Sequence, residues 1–142
     1  EYILSYSLIS FYGVINENAA KHTLLTKDDV LLLLEGMWDG TKNLISRSKF
    51  GQMPRLLLKV NYKEGNYHIG DLDKLVTIEG LEQRNQEKIR DISEFELDIS
   101  KLIDTLNKNK EKIDSVDLKI DDRVKINLEG LDPAIKINNI VF

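Results

Sequence analysis

Hydrophobic and polar positions change period several times along the chain, and each change predicts an element. Residues 2–16 (YILSYSLISFYGVIN) are dense in Ile, Leu, Tyr and Phe with serines interspersed, which predicts a long, mostly buried strand. A polar loop runs through His22, and Thr26-Lys27-Asp28-Asp29 then opens a helix. Thr26 can cap its free amides, and the two aspartates suit the positive end of its dipole. Val30, Leu33, Leu34, Met37, Trp38, Leu44 and Ile45 recur at spacings of three and four, predicting one buried stripe with Trp38 in the core. Gly36 and Gly40 on that helix predict close backbone packing, or a bend near Asp39. The helix is expected to end around Arg47, because Gly51 permits a turn and Pro54 disfavours helical geometry at Met53.

Arg55–Lys63 (RLLLKVNYK) alternates: Leu56, Leu58, Val60 and Tyr62 on one side, Arg55, Leu57, Lys59, Asn61 and Lys63 on the other. Glu64-Gly65-Asn66 has the length of a hairpin turn, expected to return the chain into Tyr67-His68-Ile69 and then Leu75-Val76-Thr77-Ile78. Glu79–Arg90 reads as an exposed connection. Ser93–Ile99 alternates, Ser100 is placed to cap a helix carrying Leu102, Ile103 and Leu106, and Val116–Ile120 alternates again. Val124, Ile126 and Leu128 extend that pattern, and Ile135–Phe142 gives a last strand after Pro133. The sum is an α+β fold: one sheet with helices on one face. A length of 142 residues suits a single domain, 1–142. The opening at Glu1, inside a hydrophobic segment, suggests a fragment of a longer protein or a processed chain.

Composition narrows the chemistry. No cysteine is present, which excludes disulfides and thiol catalysis and agrees with a reducing compartment; the expected location is the cytoplasm. Two histidines, His22 and His68, are too few for a multi-histidine metal site. The run from Tyr2 to Ile15 falls short of the ~20 apolar residues of a membrane-spanning helix and lacks signal-peptide features. The formal charge of −4 is unevenly spread. Thr41–Lys63 carries six basic residues (Lys42, Arg47, Lys49, Arg55, Lys59 and Lys63) and no acidic one. A basic window in an otherwise acidic chain is the footprint of a polyanion site. Lysines that guard a sheet edge explain Lys59 and Lys63 equally well.

Lys42, Asn43, Ser46, Arg47, Ser48, Lys49 and Arg55 are the candidate RNA-binding residues. Their cations, hydroxyls and the flexible backbone at Gly51 are the groups that hold a nucleic-acid backbone without reading its sequence. Phe50 can stack on a base or tuck into the core. His68 and Tyr67 suggest an acid–base pair for RNA cleavage, but successive strand residues point to opposite faces. Asp71 and Asp73 form a pair that suits a divalent ion or a solvated turn. The acidic stretch Glu87–Asp98 reads as a solvated face or a contact for a basic neighbour. There is no phosphate-binding loop, dinucleotide fingerprint or nucleophile elbow, so neither a cofactor nor a catalytic or metal site is expected.

The stretch Met37–Arg55 (MWDGTKNLISRSKFGQMPR) resembles the guide-RNA-binding backbone subunit of type I-B CRISPR Cascade complexes. Leu56–Tyr62, Tyr67–Leu72 and Tyr6–Gly13 are similar to the same family, so the resemblance covers about Tyr2 to Leu75. It implies a modified ferredoxin-like, RNA-recognition-type antiparallel sheet, incomplete here because the family's amino-terminal half is absent. It further implies a non-enzymatic RNA-binding subunit that polymerises along the guide RNA and meets target DNA through it. Its partners would be copies of itself and other Cascade subunits, with no membrane. The Asn43–Lys49 region would line the RNA groove. The alternatives are a metal-independent endoribonuclease of the same superfamily, and a protein-interaction domain without nucleic acid.

Overall fold

Strand β4 (Ile113–Ile120) is the centre of the structure. In this computed structural model, which describes residues 5–81 and 86–142, β4 pairs antiparallel with β1 (Leu56–Tyr62). On its other edge it pairs parallel with β5 (Lys136–Asn139). The β1–β4 register runs from Leu56 opposite Ile120 to Asn61 opposite Ser115, with an irregularity before Tyr62. This register puts Leu58 and Val60 beside Leu118 and Val116, so the apolar faces of both strands coincide as the period-two pattern requires. Two short strands, β2 (Thr77–Glu79) and β3 (Glu96–Asp98), form a separate antiparallel pair.

Helices α1 (Glu17–Thr23) and α2 (Lys27–Lys42) precede the sheet, and α3 (Ser100–Lys108) lies between β3 and β4. Leu102, Ile103 and Leu106 of α3 are buried with Ile99, Ile113, Val116 and Ile135, against Leu58, Val60 and Tyr62 of β1. A second cluster of Ile89, Ile92, Phe95 and Leu97 takes in Leu56 and Tyr6. The chain is thus α+β, with α3 on the face of the sheet that Val116 occupies. Trp38 of α2 lies beside Lys119 on the alternate register of β4, its ring 5.3 Å from Nζ.

Several sequence expectations need correction. The predicted strand at 2–16 does not form over its described part: residues 5–16 are irregular, and positions 2–4 lie outside the described residues. Among the described residues it pairs with no strand, although β1 and β5 are edge strands; strand composition permits pairing and does not supply it. The segment is instead held at points. The Tyr6 ring meets Phe95 edge-on, and the Tyr12 hydroxyl donates to the Ile69 carbonyl at 3.2 Å.

Helix α2 starts as expected, with Thr26 and Asp29 in a reciprocal capping box, but it stops at Lys42 and not near Arg47. Asn43 ends it, donating both its backbone N–H and its side-chain amide to the Asp39 carbonyl at 2.9 Å each. Of the expected stripe only Leu34 and Trp38 are buried; Leu33, Met37, Leu44 and Ile45 are exposed. A Cβ at Gly36 or Gly40 would meet nothing within 4 Å, so neither marks a close approach.

The hairpin after β1 is also replaced. Glu64–Asn66 does turn the chain, with Gly65 and Asn66 at positive φ, but Tyr67–Ile69 is not a strand and β1 pairs with β4. Tyr67 packs edge-on against Tyr62, and the Tyr62 hydroxyl accepts the Ile69 N–H at 3.1 Å. Side chains thereby tether a segment that a ladder would otherwise hold. Ser100 is the first helical residue of α3, and its N–H is taken by the Asp98 carboxylate at 2.8 Å. Residues 124–128 form no strand of their own; Ile126 makes a single bridge to Leu97. The 79–90 connection contains a helical turn at Gln86–Lys88 and buries Ile89.

Leu102 is among the most deeply buried side chains, whereas Leu32 on α2 stands in solvent. Leu102→Ala is expected to cost about 2–5 kcal/mol, and Leu32→Ala less than about 0.5 kcal/mol, read from urea unfolding midpoints. Acid dependence follows from Asp91. Its carboxylate accepts the Ser93 hydroxyl and N–H and pairs with Arg123 at 2.8 Å, which pulls its pKa from 3.8 to about 2. A lowered carboxylate pKa contributes stability that is fully present above 3.8 and lost as pH falls towards about 2. Unfolding midpoints measured across that window should fall more shallowly for Asp91→Asn than for the wild type.

Candidate nucleic-acid interface

The register of β1 against β4 divides the six cations of the basic window into two groups. Arg55 forms an ion pair with Asp121, and Lys59 Nζ lies 2.7 Å from the Asp117 carboxylate. Lys63 donates to the Glu111 carbonyl at 3.0 Å. Asp117 also accepts from Asn61 at 2.9 Å and Asn138 at 2.8 Å. Burial alone would raise the Asp117 pKa, but the bonds from Asn138, Lys59 and Asn61 outweigh it and hold the carboxyl below its ordinary value. Arg55 and Lys59 are thus neutralised within the sheet, whereas Lys63 is exposed and meets only a carbonyl. Arg55, predicted to contact RNA, is placed as a clamp between strand ends, its side chain only 14% exposed.

Lys42, Arg47 and Lys49 form the other group. All three are exposed, and none makes an ion pair among the described residues. Lys42 closes α2, Asn43 caps it, and the chain then leaves the helix into a loop. The Ser46 N–H donates to the Lys49 carbonyl at 2.8 Å, closing a turn that carries Arg47 and Ser48 outward. Ser46 and Ser48 are exposed as well. Gly51 follows at φ +71°, with open space where a side chain would stand. Phe50 is 80% exposed, which overturns the reading that it tucks into the core. The structure therefore keeps Lys42, Ser46, Arg47, Ser48 and Lys49 on one continuous stretch. Asn43's amide is committed to the helix end, and Arg55 to the sheet.

Tyr67 and His68 stand in different surroundings. The Tyr67 hydroxyl donates to Asn109 at 2.6 Å, and Lys112 sits 4.1 Å from its ring centre, while His68 is exposed. Asp71 pairs with Lys74 at 3.1 Å. Among the described residues no three or more His, Asp or Glu side chains converge as a metal site would need. No described helix is long and apolar enough to cross a membrane. Part of the acidic 87–98 stretch does meet basic neighbours within the chain: Arg123 at Asp91, and Lys125 at the Ser93 carbonyl.

The β1–β4 pairing was the feature missed from sequence, although a signal existed. Arg55 and Lys59 are four apart, as are Asp117 and Asp121, so one antiparallel register satisfies both pairs.

An α+β scaffold carrying an exposed, acid-free cationic loop is the class of protein these features define. Comparison with known proteins is more specific. Residues 1–100 match the family model described as CRISPR-associated protein Cas7. The chain is also 34% identical over 126 residues to the CRISPR-associated protein Cas7 of Haloferax volcanii, a match covering 88% of this chain and 36% of that relative. The chain belongs to the Cas7 family of CRISPR-associated proteins, and it spans about a third of the length of the curated relative it matches.

The division of the cations predicts separable effects. Arg55→Ala leaves the Asp121 carboxylate without its partner and should lower stability by about 1–3 kcal/mol. Arg47→Ala should change it by less than about 0.5 kcal/mol. Urea unfolding of the two variants checks this; equal losses would mean that Arg47 also carries structure.

Proposed function

We propose that this chain holds guide RNA by its phosphate backbone, as a structural subunit of a type I-B Cascade-type complex. One observation carries the reading: Lys42, Arg47 and Lys49 are exposed and without ion-pair partners, on a stretch free of carboxylates, in a chain of the Cas7 family. Their fields add along the loop, and Ser46, Ser48 and the open backbone at Gly51 supply neutral donors beside them. Arg55 clamps the start of β1 to Asp121 instead of reaching RNA. Copies of the subunit line up along the guide beside other complex components, and target DNA is met through the guide. In this reading the chain is a single domain, the carboxy-terminal half of a longer cytoplasmic protein. On the same reading the subunit positions RNA and does not cleave it; the Tyr67 hydroxyl is bonded to Asn109 and its ring packs on Tyr62, while His68 is exposed.

The test is the salt dependence of single-stranded RNA binding by the full-length protein. A phosphate contact on single-stranded RNA contributes about −0.7 to the slope of log affinity against log salt. Replacing Lys42, Arg47 and Lys49 together with Ala should flatten that slope by about 2 units and weaken all RNA sequences alike. The control replaces Lys101, Lys108 and Lys136, exposed lysines on α3 and β5. Lys110 and Lys112 are unsuitable, since one pairs with Asp132 at 2.5 Å and the other packs on Tyr67. An equal effect from the control triple would show diffuse attraction and remove the loop as the site.

A further inference from the structure

We infer that Phe50 is a base-stacking residue for single-stranded RNA at the tip of the cationic loop, an assignment that rests on the RNA-binding reading above. A strand held only by phosphate contacts leaves its bases unrestrained, and single-strand binders supply aromatic faces for them. In this structure the sheet does not. The alternate-register positions of β1 and β4, away from the α3 core, are Leu57, Lys59, Asn61, Ser115, Asp117 and Lys119. None is aromatic, and Lys59, Asn61, Ser115 and Asp117 are bonded to one another.

The remaining aromatic side chains divide by environment. Trp38 and Phe95 are buried. Tyr62 and Tyr67 pack on each other, Tyr6 packs on Phe95, and the Tyr12 hydroxyl is bonded to Ile69. Phe142 sits by Lys119, with 5.1 Å between Nζ and the ring centre. Phe11 is as exposed as Phe50, at 80%, but residues 5–20 around it contain no Lys or Arg. Phe50 alone among the described aromatic residues combines a solvent-facing ring with adjacent free cations, Lys49 beside it and Arg47 three positions back. The turn closed by the Ser46–Lys49 hydrogen bond ends immediately before it, and Gly51 at φ +71° redirects the chain immediately after. Phosphates held by Arg47 and Lys49 would bring their bases to this ring. Stacking is tolerant of base identity, which suits a subunit that must accept any guide.

The experiment compares Phe50→Ala, Phe50→Trp and Phe11→Ala in the full-length protein. The probes are labelled single-stranded polyuridylate, polyadenylate and an abasic ribose-phosphate strand. Phe50→Ala should weaken binding to both homopolymers by roughly 5- to 100-fold, the range of one base stacked on an aromatic ring. The salt slope should be unchanged, because no phosphate contact is lost. Phe50→Trp should retain affinity, and Phe11→Ala should bind as the wild type does. In a Trp38→Phe background, the indole of the Phe50→Trp variant should be quenched by RNA and not by the abasic strand. Unchanged affinity in Phe50→Ala, while the Lys42/Arg47/Lys49 triple still weakens binding, overturns the stacking role and leaves the cationic site standing. Equal weakening for the abasic strand also overturns it, since the substitution would then act through the loop's shape. A triple variant that binds like the wild type instead overturns the RNA-binding reading itself.

Discussion

The antiparallel register of β1 against β4 is the constraint from which the rest of the molecule follows. It joins the middle of the chain to its carboxy-terminal third, and it aligns two ion pairs at once: Arg55 with Asp121, and Lys59 with Asp117. A slip by one residue would turn the apolar set of each strand away from α3 and separate both pairs. Exposed ion pairs are weak guides to structure, but these are half-buried, and Asp117 accepts further bonds from Asn61 and Asn138. Hydrophobic burial against α3 and charge pairing on the opposite face therefore specify the same alignment. Agreement between independent terms is what singles out one pairing over its alternatives.

That alignment also shapes the candidate interface. With Arg55 and Lys59 neutralised within the sheet, Lys42, Arg47 and Lys49 at the end of α2 and in the loop after it, together with Lys63 past β1, are the cations of the basic window that meet no carboxylate among the described residues. The loop begins where α2 closes at Lys42: the Asn43 N–H makes the last bond of helical spacing, its side-chain amide adds to the same Asp39 carbonyl, and the Leu44 N–H turns to the Thr41 carbonyl at 3.3 Å. Five more residues of helix would have carried Arg47 back onto the helix surface. The short helix instead releases Ser46–Phe50 into solvent, on a stretch of sequence that holds no carboxylate. Cap chemistry at one residue thus decides where the electrostatic feature of the chain is displayed.

The family assignment and the geometry complement one another. Membership of the Cas7 family rests on the match over residues 1–100, which contains α2, the cationic loop and β1, and on the 126-residue likeness to the Haloferax volcanii relative, which is long enough to take in β4 as well. The charge left free on the loop depends on Asp117 and Asp121, which occupy Lys59 and Arg55, as much as on the loop's own residues.

Local features were legible in the sequence. Thr26 and Asp29 mark the start of α2, the alternation of residues 55–63 marks β1, and the buried Leu102, Ile103 and Leu106 mark α3, because capping and periodicity act within a few residues. The acid-free run Thr41–Lys63 was equally visible, since charge is read directly from residue identity. Partner choice was not. Residues 5–16 have the composition of a strand and pair with none among the described residues, and the turn at Glu64–Asn66 has the length of a hairpin without forming one. Which cations remained free also depended on contacts made some sixty residues away. Pattern along the chain determines what each segment can become. Only the tertiary structure decides which edges, carboxylates and apolar faces compete for it, because those terms arise from long-range packing.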